Sequence, residues 1–165
     1  MPTKQGDLAL LRDPVAQELL QSKVPARLAY NWTDGTPRVI PIWFQWTGRE
    51  IVLGTPPLAP KLKALRANPK VALTIDDNSF PHKVLLIRGT ARVEMVKGVA
   101  PEYAQAAERY FGPEQARLWV ENVKKLGLTE MGRVAITPEW VAIHDFQQRF
   151  PSALEKAMEA AQTRG

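Results

Sequence analysis

The chain has 165 residues, 45% of them hydrophobic, and a formal net charge of +5. That length suits one domain on one core, and the absence of cysteine excludes disulfides, thiolate metal centres and cysteine nucleophiles. The basic residues are scattered and no apolar run nears the roughly 20 residues that span a bilayer, so neither nucleic acid nor membrane is an expected partner. No apolar stretch follows the polar start Thr3-Lys4-Gln5-Gly6-Asp7. A cytoplasmic location is therefore expected.

Asp13-Pro14 opens a short helix over 13–22. Asp13 can cap it, and Pro14 fits its first position. Val15, Leu19 and Leu20 form its buried stripe, and Pro25 lies beyond its end. Arg27–Trp32 then reads as a strand, Asp34-Gly35 as a turn and Arg38–Trp46 as the returning strand. Pro41 lies inside that second strand and lacks a ladder donor. This predicts an edge or a bulge, with backbone groups left for a ligand. Thr47-Gly48 turns the chain into Glu50–Gly54, so three antiparallel neighbours are expected.

The next helix spans Pro60–Ala67 and ends at Asn68-Pro69. Thr55 and Lys61 thus stand where a strand passes into a helix. Backbone N–H groups at a helix start are unpaired and partly positive, and Lys61 adds a full charge. The arrangement suits an anionic, phosphate-bearing ligand. The plainer alternative for Lys61 is a solvated surface lysine.

Val71–Ile75 alternates as a half-buried strand, and the loop Asp76–Pro81 leads into a long strand, Lys83–Val96. Asp76-Asp77 fits turn chemistry better than a catalytic carboxylate pair. Gly89 predicts a bulge or a close backbone approach. Helices follow over Pro101–Phe111 and from Pro113 to Lys125. Arg133–Ile136 and Trp140–Ile143 read as one strand kinked at Pro138, and Ser152–Ala161 as an amphipathic helix. The sum is a mainly β, α+β domain over 1–165: a six-stranded antiparallel barrel with peripheral helices.

Several segments occur here in a telling order. They are Gly35-Thr36-Pro37-Arg38-Val39-Ile40-Pro41-Ile42-Trp43-Phe44, Ile51-Val52-Leu53-Gly54-Thr55, Pro60-Lys61, Asn68-Pro69-Lys70-Val71-Ala72-Leu73, and Lys83 through Glu94. Together they resemble the pyridoxamine 5′-phosphate oxidase-like family of flavin-binding split barrels, which includes the deazaflavin-dependent reductases. The resemblance covers roughly Ala26–Val96. It implies a six-stranded split barrel and a homodimer with its cofactor at the subunit interface. The implied cofactor is FMN, or alternatively F420, and the implied chemistry is hydride transfer to or from a small organic substrate.

The resemblance also implies roles. Arg38, Ile40, Pro41, Ile42 and Trp43 would lie along the ring and ribityl chain, partly through the backbone of Pro41 and Ile42. Leu53, Gly54 and Thr55 would flank the cofactor, and Lys61 would meet its phosphate. Lys83 and Val84 would reach the ring edge, where the ammonium group favours reduced, anionic flavin. Residues near Trp140 of the partner subunit would close the pocket. For Arg38 the alternative is a solvent-facing side chain, and for Trp43 and Trp46 it is core or interface packing.

Departures from the authentic oxidase narrow the reading. Ile40 stands where that enzyme has an arginine, with Arg38 two residues earlier on the same strand face. Ala59 and Pro60 replace a serine and an arginine before the helix lysine, although proline there is common in the deazaflavin-type relatives. The terminal arginine–histidine cluster is replaced by Pro138 through Phe146. Pyridoxamine phosphate is therefore not the expected substrate, and no residue stands out as a catalytic acid or base. A non-enzymatic alternative is a haem or tetrapyrrole carrier using His82 or His144. Two distant histidines make a poor metal site, so no metal is expected.

Overall fold

A computed structural model describes residues 4–163. Seven strands form one antiparallel sheet: β1 (Ala26–Asn31), β2 (Pro37–Ile42), β3 (Gln45–Trp46), β4 (Ile51–Thr55), β5 (Lys70–Asp76), β6 (Val84–Lys97) and β7 (Glu130–His144). Their order is β2-β1-β5-β6-β7-β4-β3. Alternation of apolar and polar residues gives a strand one face for the core, as in β5, whereas Ile51, Val52 and Leu53 of β4 are all buried. In β5, Val71, Leu73 and Ile75 are buried while Lys70 and Ala72 are exposed. Leu28, Leu85, Ile87, Val134, Ile136, Val141 and Ile143 join them, and Leu10, Leu19, Leu20, Leu62 and Leu65 close the core. Burying each such side chain stabilises the fold by about 1.5–3 kcal/mol before entropy is counted.

The expected second strand, Arg38–Trp46, is broken in two, so the sheet has seven strands rather than six. Ile42 pairs with Ala26 of β1, and Gln45 pairs with Val52 of β4. Trp43 and Phe44 pair with neither, because the chain changes partner between them. The two outer strands of the sheet are therefore consecutive pieces of chain, joined by two residues, and the hydrogen-bonded ladder does not close. β2 is an edge strand, as Pro41 requires.

The bulge expected at Gly89 is present. Arg88 pairs with Trp140 while Gly89 pairs with Pro138, which leaves Glu139 as the extra residue on β7. A side chain at position 89 would run into the Thr137 carbonyl. The bulge absorbs Pro138, so Glu130–His144 is one continuous strand.

Five α-helices surround the sheet: α1 (Pro14–Leu20), α2 (Pro60–Ala67), α3 (Pro101–Phe111), α4 (Pro113–Lys125) and α5 (Ser152–Gln162). Asp13 caps α1, its Oδ1 accepting from the Val15 N–H at 2.9 Å. A 3-10 turn over Leu8–Arg12 precedes it, started by Asp7 in the same way. Gly112 separates α3 from α4 with φ of +85°, a conformation that favours glycine. Beyond β7, the Asp145 carboxylate accepts from the N–H groups of Gln147, Gln148 and Arg149. Arg149 also bridges to Asp13, Nη1 to Oδ2 at 2.6 Å, tying this loop to the start of α1. Among the described residues no helix is long and apolar enough to cross a membrane.

Candidate functional site

The break between β2 and β3 creates the site. A carbonyl at a ladder break has lost its strand partner and needs another donor. Arg109 of α3 supplies it, donating Nη2–H to the Phe44 carbonyl. The same guanidinium reaches the Ser22 carbonyl and Gln45 Oε1, each at 3.1 Å. Tyr110 beside it donates to the Val24 carbonyl at 3.1 Å. Burial pushes the Tyr110 phenol above its ordinary range, so it stays a donor. Helix α3 thus fastens the seam of the sheet.

Between β2, β4 and α3 lies an open cleft of about 430 Å³, lined by Pro25, Pro41, Ile42, Trp43, Gly54 and Tyr103. The Trp43 ring stacks on Tyr110 at 5.6 Å and meets Phe111 edge-on at 4.6 Å. Trp119 of α4 approaches it at 5.8 Å. Trp43 is therefore a braced wall of the cleft. Gly54 has the opposite task. A Cβ there would lie 2.7 Å from Tyr103 Cδ2 and 2.8 Å from Met131 Sδ, so only glycine lets the Tyr103 ring rest against β4.

Tyr103 is held through its neighbour. Arg133 of β7 donates to Glu102 Oε1 at 2.6 Å and to Glu94 Oε2 at 3.0 Å. The hydrogen bond to Arg133 keeps the Glu102 carboxyl below its ordinary range despite partial burial. This ion pair, largely shielded from solvent, fixes the first turn of α3 against the sheet.

The family model for pyridoxamine 5′-phosphate oxidase matches residues 13–145. The chain belongs to that split-barrel family. No curated protein matches it. Among solved structures, a conserved hypothetical protein from Mycobacterium tuberculosis is 19% identical, with 92% of this chain and 99% of that one covered and a TM-score of 0.66. An F420 reductase is 22% identical, with 76% and 94% covered and a TM-score of 0.57. HutZ, a haem storage protein from Vibrio cholerae, is 18% identical, with 79% and 93% covered and a TM-score of 0.58. At these identities the likeness is one of fold. The family's relatives in this fold include both an oxidoreductase and a haem-binding protein.

Of the residues that the family resemblance singles out, the cleft gathers Pro41, Ile42, Trp43 and Gly54. Thr55 is buried and lines a second, more enclosed pocket that shares Gly54 and Tyr103 with the cleft. Leu53 faces the core, and Ile40 packs against it. Arg38 is exposed, its guanidinium donating to Thr36 Oγ1 at 2.7 Å. The Lys83 ammonium sits between both Glu18 oxygens at 2.7 Å, on the α1 side, and Val84 pairs with His144. Lys61 is half-buried near the start of α2, where burial alone pushes its pKa down.

Sequence reasoning did not find Pro25, Tyr103 or Arg109. The aromatic row Tyr103, Tyr110, Phe111 and Trp119 was the available signal, since so many rings on two short helices need a common partner. His82 and His144 both flank Phe146, at 6.3 and 6.4 Å between ring centroids. Burial lowers the His144 pKa, favouring neutral imidazole. Among the described residues no group of three histidine or acidic side chains is placed to hold a metal.

Proposed function

We propose that the cleft between Ile42 and Gly54 receives the tricyclic ring of FMN, and that the protein is a flavin-dependent oxidoreductase acting on a small organic molecule. One observation carries this reading. At Trp43 and Phe44 the backbone leaves both ladders beside a largely apolar cleft, and four residues singled out by resemblance, Pro41, Ile42, Trp43 and Gly54, line it. Such a place offers polar backbone groups to a ring edge and apolar walls to its faces.

When bound, the cofactor supplies the hydride chemistry. The chain's own residues have simpler tasks. Trp43 and Tyr103 wall the ring from water. The backbone of Pro41 and Ile42 orients its edge. Lys61 is a half-buried cation whose pKa burial pushes down, and a phosphate would compensate it. A homodimer completes the site, because the outer rim of β2, with Val39 67% exposed, calls for a cover and the cleft is open on one side.

The second reading keeps the site and replaces FMN with F420. Pro60 directly before Lys61 favours it, since the resemblance gives that pair as common in the deazaflavin-type relatives. Fluorescence titration of the purified protein with FMN and with F420 separates the two. Lys61→Ala should weaken the preferred cofactor at least tenfold. Absence of binding by both would overturn the proposal, and a Soret band on haem addition that vanishes in His144→Ala would replace it with a carrier role.

A further inference from the structure

We propose that the enclosed pocket behind Tyr103 binds a neutral, single-ring, largely apolar molecule with one hydrogen-bond acceptor, such as an aryl ketone. This pocket has about 180 Å³ and lies between the ends of β4 and β7 and helix α4. Val99, Trp119, Val123, Leu128 and Met131 give its wall a largely apolar character. An apolar cavity of about 150 Å³ stays dry and accepts benzene, so this one suits a substituted six-membered ring.

A polar handle stands at the pocket's exposed edge. Trp119 Nε1 lies 2.8 Å from Tyr103 Oη. An indole N–H only donates, so the phenol oxygen accepts there and keeps its own hydrogen. That hydrogen has no acceptor among the described side chains and is free for a ligand oxygen. Glu130 at the rim disfavours a carboxylate ligand, which makes a neutral one the better fit.

Position gives the ligand a role. Tyr103 and Gly54 are common to this pocket and the open cleft, so the Tyr103 ring is the partition between the two. A ligand bound behind it is separated from the cleft by that ring, too far to exchange a hydride directly, and acts on the cofactor site through the position of the Tyr103 ring. That assignment rests on the cofactor reading, whereas binding itself does not.

The test is titration of the cofactor-free protein with acetophenone and with ethylbenzene. The Trp119 indole N–H resonance, assigned by its loss in Trp119→Phe, is the readout. Both compounds should shift it saturably. Val123→Phe fills the pocket and should weaken both at least tenfold, with circular dichroism and Tm reporting that the fold is intact. If that variant does not fold, Leu128→Trp fills the pocket from another lining residue. Tyr103→Phe should weaken acetophenone about fivefold and leave ethylbenzene unchanged. Absence of a saturable shift in the unaltered protein overturns the proposal. So does equal loss of both compounds in Tyr103→Phe. Acetophenone binding that is blocked by Val123→Phe in a protein that ignores FMN and F420 supports the pocket and refutes the cofactor assignment alone.

Discussion

Asp145→Asn removes a charge that the fold holds among several donors. Burial works against that charge. The N–H groups of Gln148, Arg149 and Gln147, with the Arg149 side chain, outweigh it and hold the carboxyl at about 2 instead of 3.8. At about 1.36 kcal/mol per pH unit, the carboxylate contributes about 2.4 kcal/mol at neutral pH. The sign follows from the depressed folded value. The contribution is complete above the unfolded pKa of 3.8 and is lost as pH falls toward 2. Asparagine keeps the shape and one acceptor, but its amide meets the Arg149 Nε donor, which now lies 2.9 Å from a carboxylate oxygen. The variant should lose about 2 kcal/mol at pH 7, a fall in Tm of about 4–8 °C for a chain of this size. Urea denaturation of both proteins between pH 7 and pH 2 is the assay. The gap between them should close below pH 4. An equal gap at pH 7 and pH 2 would refute the argument, because the cost would then belong to shape and not to charge.

Arg109→Met strands the carbonyls of Phe44 and Ser22 and should cost about 2–3 kcal/mol, read by urea denaturation. Gly54→Ala drives a methyl group into Tyr103 and Met131. It should cost about 1–3 kcal/mol and weaken cofactor binding, measured by thermal melting and titration. Lys61→Met should raise the Tm of the cofactor-free protein while weakening cofactor binding. A lysine whose folded pKa is lowered costs stability wherever it is charged, and that cost fades only as pH rises through the folded value.

Local chemistry was legible in the sequence. Asp13-Pro14 caps α1, Gly35 and Gly48 turn their hairpins at positive φ, and Gly89 marks the bulge opposite Pro138. Each of these depends on residues close in sequence or on a property of one residue. The partner change at Trp43 and Phe44 was not legible, because it arises only when the sheet curls far enough for one stretch of chain to meet both its ends. The site divides in the same way. Pro41 through Trp43 and Gly54 could be placed by motif order. Tyr103 could not, since its position depends on an ion pair between Arg133 and Glu102, 31 residues apart. The Glu18 partner of Lys83, 65 residues away, was equally invisible.

The two-residue gap gives the sheet the character of a bracelet with a clasp, and Arg109 is the pin. The clasp stands beside the opening at Trp43, whereas every inner strand is held by a neighbour on each side. One helix thus fastens the edge of the sheet at the place where the cleft opens.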